Sequence, residues 1–235
     1  MFNGKMKAVT FSYDDGVMQD VRLIEILDKY NLKATFNLNA GNFGTKPDLS
    51  IDGKIIKRDL VRADEVKERY KNHEVAVHTL THPNLIDCSD DEVVRQVEED
   101  RKILEALVGY DVVGMAYPCG GINNDERVAR IVREKTKIKY ARTITSTLSF
   151  DLQDNLYQVN PTVHSMADMD NWFRLAEAFI ELKTDTPKIF YIWGHSYEFD
   201  YSEERWGMLE DFCKLISNRE DIFYGTNKEV LLAGR

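Results

Sequence analysis

The chain holds 235 residues, 43% hydrophobic and 30% charged, with a formal net charge of −9. That length suits one large core, and an α/β barrel of this size is ordinarily a single domain, here residues 1–235. The acidic balance argues against nucleic-acid and anionic-membrane partners, which reward a basic face, and no stretch approaches the ~18 apolar residues of a membrane span.

Cys88, Cys119 and Cys213 are odd in number, far apart and free of C-x-x-C spacing. The pattern excludes a cysteine zinc site and fits a reducing compartment. Residues 1–7 carry no apolar leader, so the expected location is the cytoplasm.

Residues 7–13 alternate, putting Val9, Phe11 and Tyr13 on one face of a first strand. Val21, Ile24, Leu27 and Leu32 follow at helical spacing. Ala34, Phe36 and Leu38 then alternate with Thr35, Asn37 and Asn39, a strand with one polar face. Residues 40–57, with Gly41, Gly44, Pro47 and Gly53, read as a long loop of the kind usually tied to function. Helices are expected over residues 63–72, 90–107, 124–136, 168–182, 202–217 and 228–232. Strands are expected over 74–77, 112–117, 138–142, 188–193 and 221–224, with a short one near 157–159. Repeated βα units imply a parallel sheet closed, or nearly closed, into a barrel.

The Asp14-Asp15 pair, His78, Pro118-Cys119, Arg142 and His195 each fall at or just past the end of a different expected strand. In α/β barrels that rim is where active sites are built. His78 and His82 form an H-x-x-x-H pair whose spacing puts both rings on one side of a turn. Pro83 biases His82 away from the helical region, so a metal-binding turn after a strand is expected. Thr79 stands where a zinc protease helix carries its Glu, so a base must come from elsewhere. Asp14 and Asp15 are the source: adjacent strand-end residues point in different directions, and one could bind metal while the other accepts a proton from its water. The alternative is a strand-to-helix turn with an Asp N-cap.

Phe11-Ser12-Tyr13-Asp14-Asp15-Gly16, then His78-Thr79-Leu80-Thr81-His82-Pro83, then Ala116-Tyr117-Pro118-Cys119-Gly120, resemble the first three motifs of the polysaccharide deacetylase family (NodB homology, carbohydrate esterase family 4). The resemblance runs in order over essentially the whole chain. It implies a distorted (β/α)₇ barrel with one divalent metal on Asp15, His78 and His82, and Asp14 as catalytic base. Cys119 stands where the family uses a backbone N–H to stabilise an oxyanion, and His195 in Trp193-Gly194-His195 resembles the late motif that supplies the general acid. The implied reaction is metal-dependent removal of N-acetyl or O-acetyl groups from a carbohydrate. Zn²⁺ is the expected ion, and Co²⁺, Ni²⁺, Mn²⁺ or Fe²⁺ suit the same ligands.

Two motifs depart from the family pattern. Ala116 replaces the Arg that opens the third, and Arg142 is expected to substitute for it. The fourth, Asp-x-x-Asp-Trp, has no counterpart: no Trp follows Asp151 or Asp154, and Glu198 or Asp200 is expected to place a carboxylate beside His195. Pro118, Tyr117, Trp193, Tyr197 and His164 are expected around a small saccharide or other acetamide-bearing substrate, and Gly194 is expected to let the backbone turn sharply before His195. Two other readings stay open, hydrolysis of a cyclic ureide or imide and glycan binding without catalysis.

Overall fold

A ring of parallel strands surrounds a polar axis in the computed structural model, which describes residues 1–167 and 169–234. The strands are β1 (Lys7–Asp14), β2 (Ala34–Leu38), β3 (Asp48–Ile51), β4 (Lys54–Lys57), β5 (Glu74–Val77), β6 (Gly114–Ala116), β7 (Tyr140–Arg142), β8 (Val163–His164), β9 (Lys188–Gly194) and β10 (Ile222–Tyr224). The α-helices are α1 (Asp20–Lys29), α2 (Val66–Arg69), α3 (Asp90–Val108), α4 (Glu126–Lys135), α5 (Met169–Glu181), α6 (Glu203–Ile216) and α7 (Asn227–Leu231).

The order around the sheet is β7-β6-β5-β2-β1-β9-β8, with β10 paired to the start of β1. Val159 bridges the seam between β7 and β8. Its N–H donates to the Ala141 carbonyl at 2.9 Å, and its own carbonyl accepts from Thr143 at 2.8 Å. Seven parallel strands thus curl into a distorted barrel whose last seam is a single bridge.

Period two decides what each strand buries. Val9, Phe11 and Tyr13 of β1, with Phe36, Leu38, Val75 and Val77, pack outward against Leu23, Leu27, Val93, Val97, Leu104 and Phe212 of the helices. The alternate positions, Thr10, Ser12, Asp14, Thr35, Asn37, Glu74, Tyr140 and Arg142, are buried too. They bond to one another across the ring. Barrel axes are usually filled by branched aliphatic side chains, whereas this one is polar. At Gly114 a Cβ would lie 2.0 Å from the Tyr140 hydroxyl, so only glycine admits that side chain to the axis.

Several elements differ from the sequence expectation. Residues 40–57 are not all loop: β3 and β4 form an antiparallel hairpin turned by Asp52 and Gly53, both left-handed (φ 49° and 80°). Asp-Gly is a strong hairpin signal, obscured here by short, mostly exposed strands. The helix expected over 63–72 shrinks to a 3₁₀ turn (Ala63–Glu65) and the single turn α2, ending where Tyr70 donates to Asp20. The strand near 157–159 is a 3₁₀ turn (Leu156–Gln158) followed by the Val159 bridge. β6 keeps three inner residues of its expected span, β7 the last three of its own, and β8 was not anticipated. Asp168, the expected start of the fifth helix, lies outside the described residues.

Candidate metal centre and catalytic site

β1 ends at Asp14, and the next residue breaks its alternation. Asp15 is left-handed, φ 77°. Pleat geometry alone would send the two carboxylates to opposite faces, as the sequence suggested. The left-handed step instead turns both toward His78, with Asp14 Oδ2 and Asp15 Oδ1 at 3.9 and 3.8 Å from His78 Nε2. Neither caps α1, whose N-cap is Gln19.

His78 follows β5 directly. Its Nδ1–H donates to the Ala116 carbonyl at 2.9 Å, which fixes the tautomer and leaves the Nε2 lone pair facing the carboxylates. Asp100 of α3 accepts the His78 and Ala40 backbone N–H groups at 3.2 and 2.7 Å, and Asn39 Nδ2 donates to the His78 and Thr79 carbonyls. Burial lifts the Asp100 carboxyl to about 8. Thr79 and His82 are both left-handed, φ 69° and 63°, so the segment is a turn and not a helix. A left-handed β-branched residue is rare, and such strain collects at functional sites. Gln96 pins the turn through its Oε1, which accepts the Thr81 N–H at 3.0 Å.

The result is a trio. Asp15 Oδ1 lies 3.8 Å from His78 Nε2 and 3.6 Å from His82 Nε2, and one ligand atom from each residue falls within 4.8 Å of the others. A tetrahedron with ~2.1 Å bonds has edges of ~3.4 Å, so a contraction of a few tenths of an ångström would seat a divalent ion. Burial, with His78 beside it, keeps His82 neutral, the form that ligates. The donor set fits a metal.

Asp14 has a different setting. Arg142, fully buried at the end of β7, places Nη2 at 2.6 and 2.5 Å from the two Asp14 oxygens, and Asn37 Nδ2 donates to Oδ1 at 2.8 Å. Burial pushes the carboxyl up, but Arg142, His78 and His195 outweigh it and hold it at about 2. The Arg142 guanidinium rests 4.4 Å over the Trp193 ring.

His195 follows β9. Gly194 is needed for space, not for an unusual turn: a Cβ there would lie 2.5 Å from Ser165 Oγ. Glu198 sits one 3₁₀ turn on, Oε1 at 3.5 Å from His195 Nδ1, and Oε2 accepts the His195 N–H at 3.1 Å. Burial disfavours the imidazolium, but Glu198 outweighs it and lifts His195 to about 9. His164 Nδ1 accepts the Met166 and Ala167 N–H groups at 3.1 and 2.9 Å, so its proton is on Nε2, 3.6 Å from Glu198 Oε2. His164, His195 and Glu198 also group closely enough to resemble a metal site. The protonated His164 Nε2 cannot ligate, so the trio is two imidazoles facing one carboxylate, at 3.6 and 3.5 Å. Asp200 faces elsewhere, accepting from Trp206 Nε1 and Gln19 Nε2. Asp151 pairs with Lys188 at the start of β9.

A cavity of about 250 Å³ opens over the trio, its wall including Asp14, Asp15, Arg58, Tyr117, Cys119, Trp193, His195 and Tyr197. Pro118 and His164, expected around the substrate, do not line it, and neither does Glu198, expected beside His195. Asn123 Nδ2 donates to the Tyr117 and Cys119 carbonyls at 3.3 and 2.9 Å, fixing the loop around Pro118. The Tyr117 hydroxyl is committed to the Tyr157 carbonyl at 2.8 Å. Cys119 Sγ sits 3.7 Å from His82 Nδ1, and Tyr197 stacks on His195 at 4.9 Å. Arg58 was missed in the sequence; the only hint was its place just past the segment 40–57 read as a functional loop.

Residues 3–137 match the family model for polysaccharide deacetylase. The peptidoglycan-N-acetylglucosamine deacetylase PgdA of Listeria monocytogenes is 28% identical over 119 residues, 50% of this chain and 22% of that protein. A peptidoglycan-N-acetylglucosamine deacetylase of Bacillus cereus is 31% identical over 116 residues, 48% of this chain and 37% of its own. The chain thus spans well under half the length of these curated relatives. The family 4 acetyl xylan esterase of Clostridium thermocellum, solved with a cobalt ion, shares the fold with a TM-score of 0.57 at 16% identity, over 96% of this chain and 90% of that one. With more than half of its length matched, the chain belongs to the polysaccharide deacetylase family.

Proposed function

We propose that the chain acts as one catalytic domain, residues 1–235, that hydrolyses the acetyl group, first of all the N-acetyl group, of a small saccharide. The observation that carries this reading is the convergence of Asp15, His78 and His82 beside Asp14 and His195, on one rim of the barrel. Asp15, His78 and His82 would hold one divalent ion, Zn²⁺ being the first choice for this mixed oxygen and nitrogen set. When bound, such an ion supplies Lewis-acid chemistry, polarising a carbonyl and bringing the pKa of water toward ~7.

The residues of the chain do the rest. Asp14, held ionised by Arg142, accepts the proton of the attacking water at Oδ2, the oxygen nearest His78. The Cys119 N–H, on a loop fixed by Asn123, stabilises the carbonyl oxygen as it gains charge. His195, kept protonated by Glu198, gives a proton from Nε2 to the departing amine while Nδ1 stays toward the carboxylate. Asp14 and His195 hold opposite protonation states at one pH because one faces an arginine and the other a glutamate. His164 positions Glu198 in place of the missing fourth motif. Trp193 and Tyr197 wall the acetyl group.

The cavity lies below the ~300–1,000 Å³ typical of ligand pockets, which supports one sugar unit over a long polymer stretch. Three free thiols, Cys88, Cys119 and Cys213, support action in a reducing, cytoplasmic setting.

Acetate release tests the reading. The chain is loaded in turn with Zn²⁺, Co²⁺, Mn²⁺ and Ni²⁺ and offered N-acetylated sugars, O-acetylated sugars, and a cyclic ureide and imide. Acetate from the N-acetyl sugars is the expected result; ring opening with no acetate under any ion contradicts it.

A further inference from the structure

Arg58, the residue after β4, stands in the wall of the metal cavity without belonging to the barrel strands or to any of the motifs quoted above. Its backbone is tied on both sides. The Arg58 N–H donates to the Pro47 carbonyl at 3.2 Å, Gln19 Nε2 donates to the Lys57 carbonyl at 2.7 Å, and the Asp59 carbonyl accepts from Met18 at 2.8 Å. Ile56, two residues back on β4, is buried against Val17 and Tyr197. The hairpin therefore presents the guanidinium from a fixed frame.

The guanidinium is under-used. Nη1 reaches Asp15 Oδ2 at 3.3 Å, while Nε is buried with no hydrogen-bond partner. Asp15 can offer little more, since Oδ1 is turned to His78 and His82. The cavity's other cations face carboxylates of the chain itself: Arg142 bonds both oxygens of Asp14, and His195 lies 3.5 Å from Glu198. A buried unpaired donor costs roughly 1–3 kcal/mol, so one held beside a reaction centre calls for a partner that arrives later. Arginine donates and never accepts, and its fork matches a carboxylate or phosphate.

We propose that Arg58 is a specificity-determining residue, selecting acetamido sugars that carry an anionic oxygen group, carboxylate or phosphate, close to the acetyl group. The proposal rests on the deacetylase reading for its reaction but not for its binding preference.

Three sugars separate the possibilities: N-acetylglucosamine, its 6-phosphate, and N-acetylmuramic acid, which adds a carboxylate. The metal-loaded protein should show a higher kcat/KM on at least one charged sugar than on the neutral one, and Arg58→Gln should shrink that charged-to-neutral ratio by about 10–100-fold. Arg58→Lys should keep part of the preference, and added salt should weaken it. The charged sugar favoured tells phosphate from carboxylate. A ratio that Arg58→Gln leaves within about twofold overturns the proposal and reduces Arg58 to a prop for Asp15.

Binding is measured separately by calorimetry on the Asp14→Asn protein with the same sugars, with and without Arg58→Gln. Charged-over-neutral affinity that depends on Arg58, without acetate release from wild type, keeps the proposal and rejects deacetylation. Acetate release with no such binding preference does the reverse. Charged and neutral sugars bound alike, or not at all, overturn the proposal whatever turnover shows.

Discussion

Where the strands begin, Glu74 accepts from Thr35 Oγ1 at 2.7 Å, the Tyr140 hydroxyl at 2.9 Å and the Lys228 N–H at 2.9 Å. Asn227 adds bonds to Thr10 and to the Tyr191 hydroxyl, and the nearby void beside α7 is about 20 Å³, room for about one water. Where the strands end, the polar groups are equally buried but many lack partners: Asn37 Oδ1, Arg58 Nε, Thr79 Oγ1, Trp193 Nε1 and His195 Nδ1. Left-handed Asp15, Thr79, His82 and Cys119 cluster at that end as well. Burial and polarity alone would not tell the two ends apart. Satisfaction does: a closed network holds a fold together, and an open one under a 250 Å³ cavity is set for something that arrives.

The largest expected effect is that of Asp14→Asn at the open end. It should leave metal content and folding intact while lowering kcat by ~10²–10⁴, read by steady-state kinetics beside metal analysis. Unchanged kcat at full loading would remove Asp14 from the chemistry.

The opposite signature belongs to the closed end. Tyr140→Phe leaves Glu74 Oε1 without its hydroxyl donor, and should cost about 1–3 kcal/mol in urea unfolding with metal affinity unchanged. A loss of activity without a loss of stability would mean that the two ends are not separable in this way.

The smallest effect concerns Asp20, a satisfied group within the open end, bonded by Ser196 Oγ and the Tyr70 hydroxyl. Burial lifts its carboxyl to about 7, against ~4 when unfolded. The folded state binds that proton more tightly, so the contribution is full below about pH 4 and is lost as pH rises to about 7. Asp20→Asn should narrow the fall in Tm between pH 5 and pH 8 by at least about 2–4 °C, the shift that one kcal/mol makes in a chain of this length. A pH dependence identical to wild type would show that Asp20 does not titrate there.

The sequence made the open end more legible than the closed one. Asp14, Asp15, His78, Cys119 and His195 could be placed because chemistry-bearing residues at successive strand ends must meet on one rim. Arg142 could be matched to Asp14 on the same ground. The Thr35-Asn37-Asn39 alternation gave the polar face of β2, but a lone strand cannot say whether that face looks inward or to solvent. Glu74, Tyr140 and Asn227 meet only once the ring closes. The seam at Val159 and the two residues of β8 are too short to carry a period. Arg58 escaped for a different reason: a hairpin packed on Tyr197 delivers it, and spacing along the chain carries no trace of that packing.

Whether Asp15, His78 and His82 share one ion is read by zinc titration of the chelator-treated chain in a calorimeter, with anomalous scattering from crystals to locate the ion. The expected result is one ion per chain, seated between the three residues, with affinity reduced at least tenfold in His78→Ala and in His82→Ala. Binding that survives both substitutions, or an ion found away from the three side chains, would contradict it.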